Sequence, residues 1–263
     1  MADETGLLEI AAWKMAVGRL ATESLPELAT EALVSGWDSP ALRTLAGQSP
    51  SDVRDSADLF RLALSELDVE LPDAETAEWR LARHVAGMIV AGTLSGASGA
   101  RELWNTYLNV SDNGDLRVFV GLVSELDDHP EQVDAIEAAI IAAAHEFVTR
   151  REPRRWIRLM AASGRSSLTQ TSGHDDIEID PATLGLTDEL RSDLARWDVA
   201  YLRTLSAWPV EGGFETERDA ERFVAAGRGL SERLQIELGS GYHVEYMPEP
   251  IRQPGVKLRA VDR

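Results

Sequence analysis

The sequence predicts a mainly α protein, with an irregular all-α N-terminal bundle followed by a small α+β C-terminal unit. Three observations carry this expectation. Through residue 150, apolar side chains recur at helical spacing between capping residues and glycines, and nothing alternates convincingly with period two. The arginine cluster at residues 150–155, broken by Pro153, then interrupts that pattern. Beyond it, short alternating stretches are mixed with two longer helical ones. A length of 263 residues also exceeds the ~100–200 residues of one ordinary domain, so a division into residues 1–152 and 153–263 is expected.

In chain order, Ser24-Leu25-Pro26-Glu27 has the spacing of a capping box, in which the serine and the glutamate each serve the other's main-chain amide. Ser39-Pro40 and Ser49-Pro50 both place proline at a first helical position behind a serine cap, and Gly36 and Gly47 stand where helices should stop. Leu59, Leu62, Ala63 and Leu67 are expected to share one buried face, and Trp79, Ala82, Ala86 and Ile89 another. The glycines of residues 92–100 read as one helix's stop and the next one's start, since a phosphate loop would need a preceding strand and a following lysine. Asp112-Asn113-Gly114-Asp115 reads as a turn. A calcium loop beginning at Asn109 fails because Val120 stands where its bidentate carboxylate belongs. Asp128 or His129 is expected to cap a helix, with Pro130 in its first turn, Glu131 reciprocating, and Val133, Ile136, Ile140, Ala144 and Phe147 as its buried stripe. Six to eight short helices result, without a regular repeat.

In the C-terminal part, Trp156–Met160 and Ile177–Ile179 are expected as short strands around an irregular linker at 160–181. Helices follow over Thr187–Leu205 and Thr216–Leu238, the second stopped by Gly239, and Tyr242–Tyr246 alternates as a strand.

Charge narrows the function classes. The chain carries 45 acidic and 26 basic side chains, a net charge of −19. Residues 1–152 hold 27 acidic and 11 basic side chains (−16), and the remainder 18 and 15 (−3). Such a field repels phosphate backbones and anionic lipid, so no direct nucleic acid binding and no membrane binding are expected; a basic protein partner is. The absence of cysteine excludes disulfides, thiolate nucleophiles and sulfur-ligated zinc. The acidic first residues and the lack of an apolar run of ~18 residues lead to the expectation of a cytoplasmic protein. No cofactor is expected, and the oligomeric state is left open.

Two histidine-bearing stretches invite a metal reading. His129 and His145 stand sixteen residues apart, ~24 Å if on one helix, and cannot share an ion. His145-Glu146 also fails the H-E-x-x-H pattern, because Thr149 stands where the second histidine belongs. In Gly173–Asp180 an extended backbone would set His174, Asp176, Glu178 and Asp180 along one face, able to hold a divalent cation or a basic partner surface. The plainer alternative is an edge strand whose charges block sheet-to-sheet pairing. No G-x-S-x-G occurs. Of seven tryptophans, Trp13, Trp79, Trp104, Trp156 and Trp197 sit at apolar positions and read as packing residues, whereas Trp37 and Trp208 lie in loop-like sequence. Trp37 and Asp38, with Asp176, Glu178 and Asp180, are the candidate partner-binding residues. The alternative for Trp37 is a ring tucked over its own helix ends.

The run from Trp197 onward, with Trp-Asp-Val-Ala-Tyr at 197–201, Gly213-Phe214, Gly227, Leu230, Leu234, Glu237-Leu238-Gly239 and Val244-Glu245-Tyr246, resembles the end of a group of uncharacterised actinobacterial proteins. The stretch Asp38-Ser39-Pro40-Ala41-Leu42-Arg43 with Leu45-Ala46-Gly47, and Phe119-Val120-Gly121-Leu122 before Asp128-His129-Pro130-Glu131, is similar to another such group. The resemblance implies no activity, and no functional residue is carried over from it. The residues therefore support two readings. One is a non-catalytic acidic interaction protein, immunity-like or regulatory, that binds a basic protein. The other is a metal-dependent enzyme, a hydrolase, using the carboxylates of the 174–180 stretch.

Overall fold

A computed structural model describes residues 6–49, 54–111, 113–150, 152–172, 175–205, 214 and 216–248, with the backbone alone at 171, 172, 175 and 176. The chain forms two compact units, Met1–Val110 with Val118–Thr149, and Ser111–Arg117 with Arg150–Arg263. The architecture is an irregular all-α N-terminal region followed by a small mixed sheet with helices.

The first unit contains helices α1 (Leu7–Ala16), α2 (Leu25–Val34), α3 (Pro40–Ala46), α4 (Ser56–Glu66), α5 (Ala74–Val90), α6 (Gly96–Tyr107), α7 (from Arg117 to Asp128) and α8 (Val133–Thr149). Their faces are rich in alanine and leucine, which lets short helices approach closely. Leu8, Ala12, Leu25, Ala29, Leu42, Leu45, Phe60 and Leu64 form one core across α1–α4. At the close approach of α5 and α6, a Cβ on Gly99 would lie 2.5 Å from the Ile89 side chain, so only glycine fits. Phe147 of α8 meets Phe119 of α7 edge-on at 6.2 Å.

Caps explain most boundaries. Ser39, Asp73 and Ser95 accept from the amides of Leu42, Thr76 and Ser98 at the starts of α3, α5 and α6. After α2 the amide of Gly36 (φ 96°) donates to Leu33 O and that of Trp37 to Ala32 O, a Schellman stop that only a left-handed residue permits. Gly92 (φ 71°) ends α5 as expected. The face of Trp79, Ala82, Ala86 and Ile89 does point inward, Trp79 only partly.

Other expectations need correction. Ser24 closes a 3-10 turn by donating to Ala21 O, so no capping box forms at α2. The helix start expected at Ser49-Pro50 stands uncorrected, because Pro50 lies outside the described residues; the next described helix, α4, begins at Ser56. Leu62 is exposed, because the buried face of α4 runs through Phe60, Ala63 and Leu64. A 3-10 turn at Pro130–Gln132 separates α7 from α8; His129 makes no capping bond, Glu131 accepts instead from Gln132, and Val133 is exposed.

The second unit is a four-stranded sheet of β1 (Arg155–Met160), β2 (Leu168–Ser172), β3 (Asp175–Glu178) and β4 (Tyr242–Met247), with helices α9 (Asp188–Leu205) and α10 (Glu217–Leu238). The spatial order is β3-β2-β1-β4; β1 pairs antiparallel with β2 and parallel with β4, and β2 pairs antiparallel with β3. Within the 160–181 stretch, expected as an irregular linker apart from a strand at Ile177–Ile179, β2 is thus an additional strand, and β3 covers Asp175–Glu178. The polar, serine- and threonine-rich composition of Leu168–Ser172 hid the alternation that normally marks a strand. Ile157 and Leu159 face Leu190, Leu194 and Trp197 of α9 and Phe223, Leu230 and Leu234 of α10 in the core. Trp197 and Phe223 stack at 4.6 Å, and the Trp197 indole donates to Phe223 O at 3.1 Å. A Cβ on Gly227 would lie 2.4 Å from the Tyr246 hydroxyl, so this glycine lets α10 sit against β4.

Candidate functional site

The candidate partner-binding residues fall in both units. In the first, Trp37 follows the Gly36 turn, and its half-buried ring packs against the α1–α4 core. Asp38 is exposed and held by Arg43 through two bonds, Nε to Oδ1 at 2.6 Å and Nη2 to Oδ2 at 2.7 Å. This pairing keeps the Asp38 carboxyl below the usual aspartate range.

The second unit contains the carboxylate row. Asp176 and Glu178 lie on β3, whose described partner is β2; Thr171 pairs with Asp176 and Thr169 with Glu178. Glu178 is exposed and accepts from the Ser166 amide at 3.3 Å. Asp180 lies past the strand end and accepts from the Ala182 amide at 2.9 Å, capping a 3-10 turn over Pro181–Leu184. Asp180 is exposed and also serves as the cap of that turn. His174 and Trp208 lie outside the described residues. Among the described residues no group of three or more His, Asp or Glu side chains gathers to hold a metal ion.

Three buried or partly buried carboxylates were not singled out by their sequence. Asp115, in the stretch read only as a turn, has a side chain with no exposed surface. It accepts from Arg150 Nη1 (2.8 Å), the Arg154 amide (2.7 Å), Arg154 Nε (3.0 Å) and the Trp156 indole (3.1 Å). Burial alone would raise its pKa, but these donors and the Arg150 charge outweigh burial and hold it below the ordinary value. Gly114 makes the contact possible, since a Cβ there would lie 2.1 Å from the Trp156 ring. Trp156 also packs against His243, the rings tilted by 36° with centroids 4.0 Å apart, and burial lowers the pKa of that histidine. In the first unit, buried Glu78 accepts from Arg19, from Thr106 Oγ1 at 3.2 Å and from Asn109 Nδ2 at 3.1 Å. On α9, Asp198 accepts from Ser167 Oγ at 3.0 Å through one oxygen while the other is enclosed without a donor, and burial pushes its carboxyl up. The first two are structural clamps. Their signal in sequence was limited to a polar residue amid apolar ones, which does not identify a partner distant in the chain.

Between α9 and α10 runs an open groove of about 1090 Å³. Trp197, Phe214, Phe223 and Leu230 give it an apolar floor; Arg196, Arg222 and Arg233 stand at its rim with Asp193 and Asp219. Arg233 and Arg196 both bind Asp193, and Arg222 lies 3.4 Å from Asp219, so the rim charges are largely internal pairs.

Residues 155–249 match the family described as Serratia CdiI immunity protein-like. The match covers about one third of the chain and takes in the four strands with α9 and α10. It contains the whole run from Trp197 to Tyr246, so the likeness drawn from those residues is not specifically actinobacterial. A comparison with curated proteins found no match. No described helix is long and apolar enough to cross a membrane.

Proposed function

We propose that this chain is a non-catalytic, immunity-type protein that captures a basic protein partner. The observation that carries the reading is the likeness of residues 155–249 to the immunity protein-like family, over a stretch that coincides with the sheet and its two covering helices. The charge of −16 on residues 1–152 supports it, because a field of that sign draws a basic protein in and speeds its encounter by roughly 10–1,000-fold at low salt. Trp37, Asp38, Asp176, Glu178 and Asp180 are its proposed contacts. A partner's arginine reaching Asp38 would compete with Arg43, whereas Glu178 gives up only a single long bond. A cytoplasmic site of action belongs to the same reading.

Affinity capture from the protein's own cell extract, at low and at high salt, tests it. A basic protein should be retained, more weakly as salt rises. Made alone it should arrest growth, and made together with this chain it should not. Retention of no basic protein at either salt, or of one that is harmless by itself, would overturn the proposal.

A further inference from the structure

Among the described residues strand β3 ends the sheet, and its alternation fixes which main-chain groups are spent. The Ile179 amide donates to Leu168 O at 2.9 Å, and Ile177 and Asp175 stand opposite Gln170 and Ser172. In an antiparallel ladder alternate residues turn their N–H and C=O to the same neighbour. Residues 175, 177 and 179 therefore face β2, and the amides and carbonyls of Asp176 and Glu178 face the opposite way. No strand pairs with them there among the described residues. Around that edge Ile177 is 54% exposed and Glu178 is exposed. Residues 173–181 carry four carboxylates and no lysine or arginine.

We infer that the β3 edge is a docking surface for an extended basic segment of the partner, added as a fifth strand. Main-chain bonds to residues 176 and 178 supply affinity, while lysines or arginines at alternate positions of the segment meet the carboxylates. The occupant follows from charge complementarity, since an acidic strand would meet repulsion and a neutral one would gain the main-chain bonds alone. The inference rests on the proposed capture of a basic partner and names the surface and the mode.

The probe is a short synthetic peptide of alternating lysine and valine, titrated by fluorescence anisotropy into the full chain, beside the same peptide N-methylated along one edge. Methylation keeps the charge and removes the strand's donors. Glu178→Pro removes the outward N–H while leaving the bonds to β2, and Glu178→Lys reverses the charge. The methylated peptide and the Glu178→Pro chain should each bind about tenfold more weakly, the loss that one good hydrogen bond represents. On the unaltered chain, hydrogen exchange at the Asp176 and Glu178 amides should slow when the parent peptide binds, a readout independent of any variant's folding. Equal binding of both peptides, or unchanged exchange at those amides, would overturn the inference and leave the charges as a guard against edge pairing. If a captured natural partner binds Glu178→Pro and Glu178→Lys as tightly as the parent chain, the edge is excluded while the immunity reading stands; that reading fails only when no basic partner is captured.

Discussion

Replacing Asp115 by alanine should strongly destabilise the second unit. The carboxylate is fully enclosed and accepts four hydrogen bonds, three from arginines and one from an indole. Its removal leaves the Arg150 and Arg154 guanidinium groups, with side chains 23% and 24% exposed, without their buried counter-charge. Breaking a buried pair from one side costs about 3–5 kcal/mol; the partial exposure of the arginines places this case near 3 kcal/mol, roughly a hundredfold in the folding equilibrium. Urea unfolding of the full chain, followed by tryptophan fluorescence and circular dichroism, measures it. Trp156 loses its acceptor in the variant, so fluorescence should report the earlier transition directly. The pH dependence has a definite sign. The native carboxyl titrates below the ordinary 3.8, so the stabilisation is fully present above that value and is lost as pH falls through the lower native pKa. The difference between parent and variant should accordingly stay flat from about pH 5 to 8 and shrink only in stronger acid. A cost under about 1 kcal/mol at neutral pH, or one that decays between pH 5 and 8, would refute the reasoning.

Three further outcomes are expected. Asp198→Asn should stabilise the protein by about 1 kcal/mol at neutral pH, because an enclosed carboxylate oxygen without a donor is replaced by a neutral group that still accepts from Ser167. Since burial raises the Asp198 pKa, the parent loses stability as pH rises through it, and thermal melts of parent and variant should converge in acid. Gly227→Ala should lower stability by about 1–3 kcal/mol through the clash with Tyr246, whereas Gly229→Ala, with open space around it, should raise it by about 0.5–1 kcal/mol through helix propensity; equal effects in denaturant unfolding would contradict the packing. Heat denaturation with Mg2+, Mn2+, Ca2+ or Zn2+ should leave the midpoint where it is, and a clear rise with one ion would return the carboxylate metal site to consideration.

The helices were legible because their signals are local. A serine or aspartate at Ser39, Asp73 or Ser95 satisfies an amide three residues on, and Gly36 and Gly92 supply the left-handed turn, so the sequence near each end contains the whole cause. The capping box at Ser24 failed because Ser24 had a nearer acceptor in Ala21 O, a choice between two local bonds that spacing does not decide. Strand β2 was missed since its exposed-looking polar residues are paired by distant neighbours, Leu168 with Leu159 and Gln170 with Ile157. Asp115 was hidden for the same reason, as its donors lie 35 to 41 residues along the chain. The acidity of Glu178 and Asp180 could be read, but their divergence into an edge residue and a cap depends on where β3 stops.

The second unit is not a continuous ribbon of chain. Residues 111–117, which lead from α6 into the first residue of α7, belong to it, and with them comes the aspartate that fastens the start of β1. A recombinant fragment beginning at residue 150 would consequently be born without its own latch, however neatly it spans the matched segment. Adding a synthetic heptapeptide of residues 111–117 in trans is the natural way to restore it, as a lost splinter completes a broken dowel.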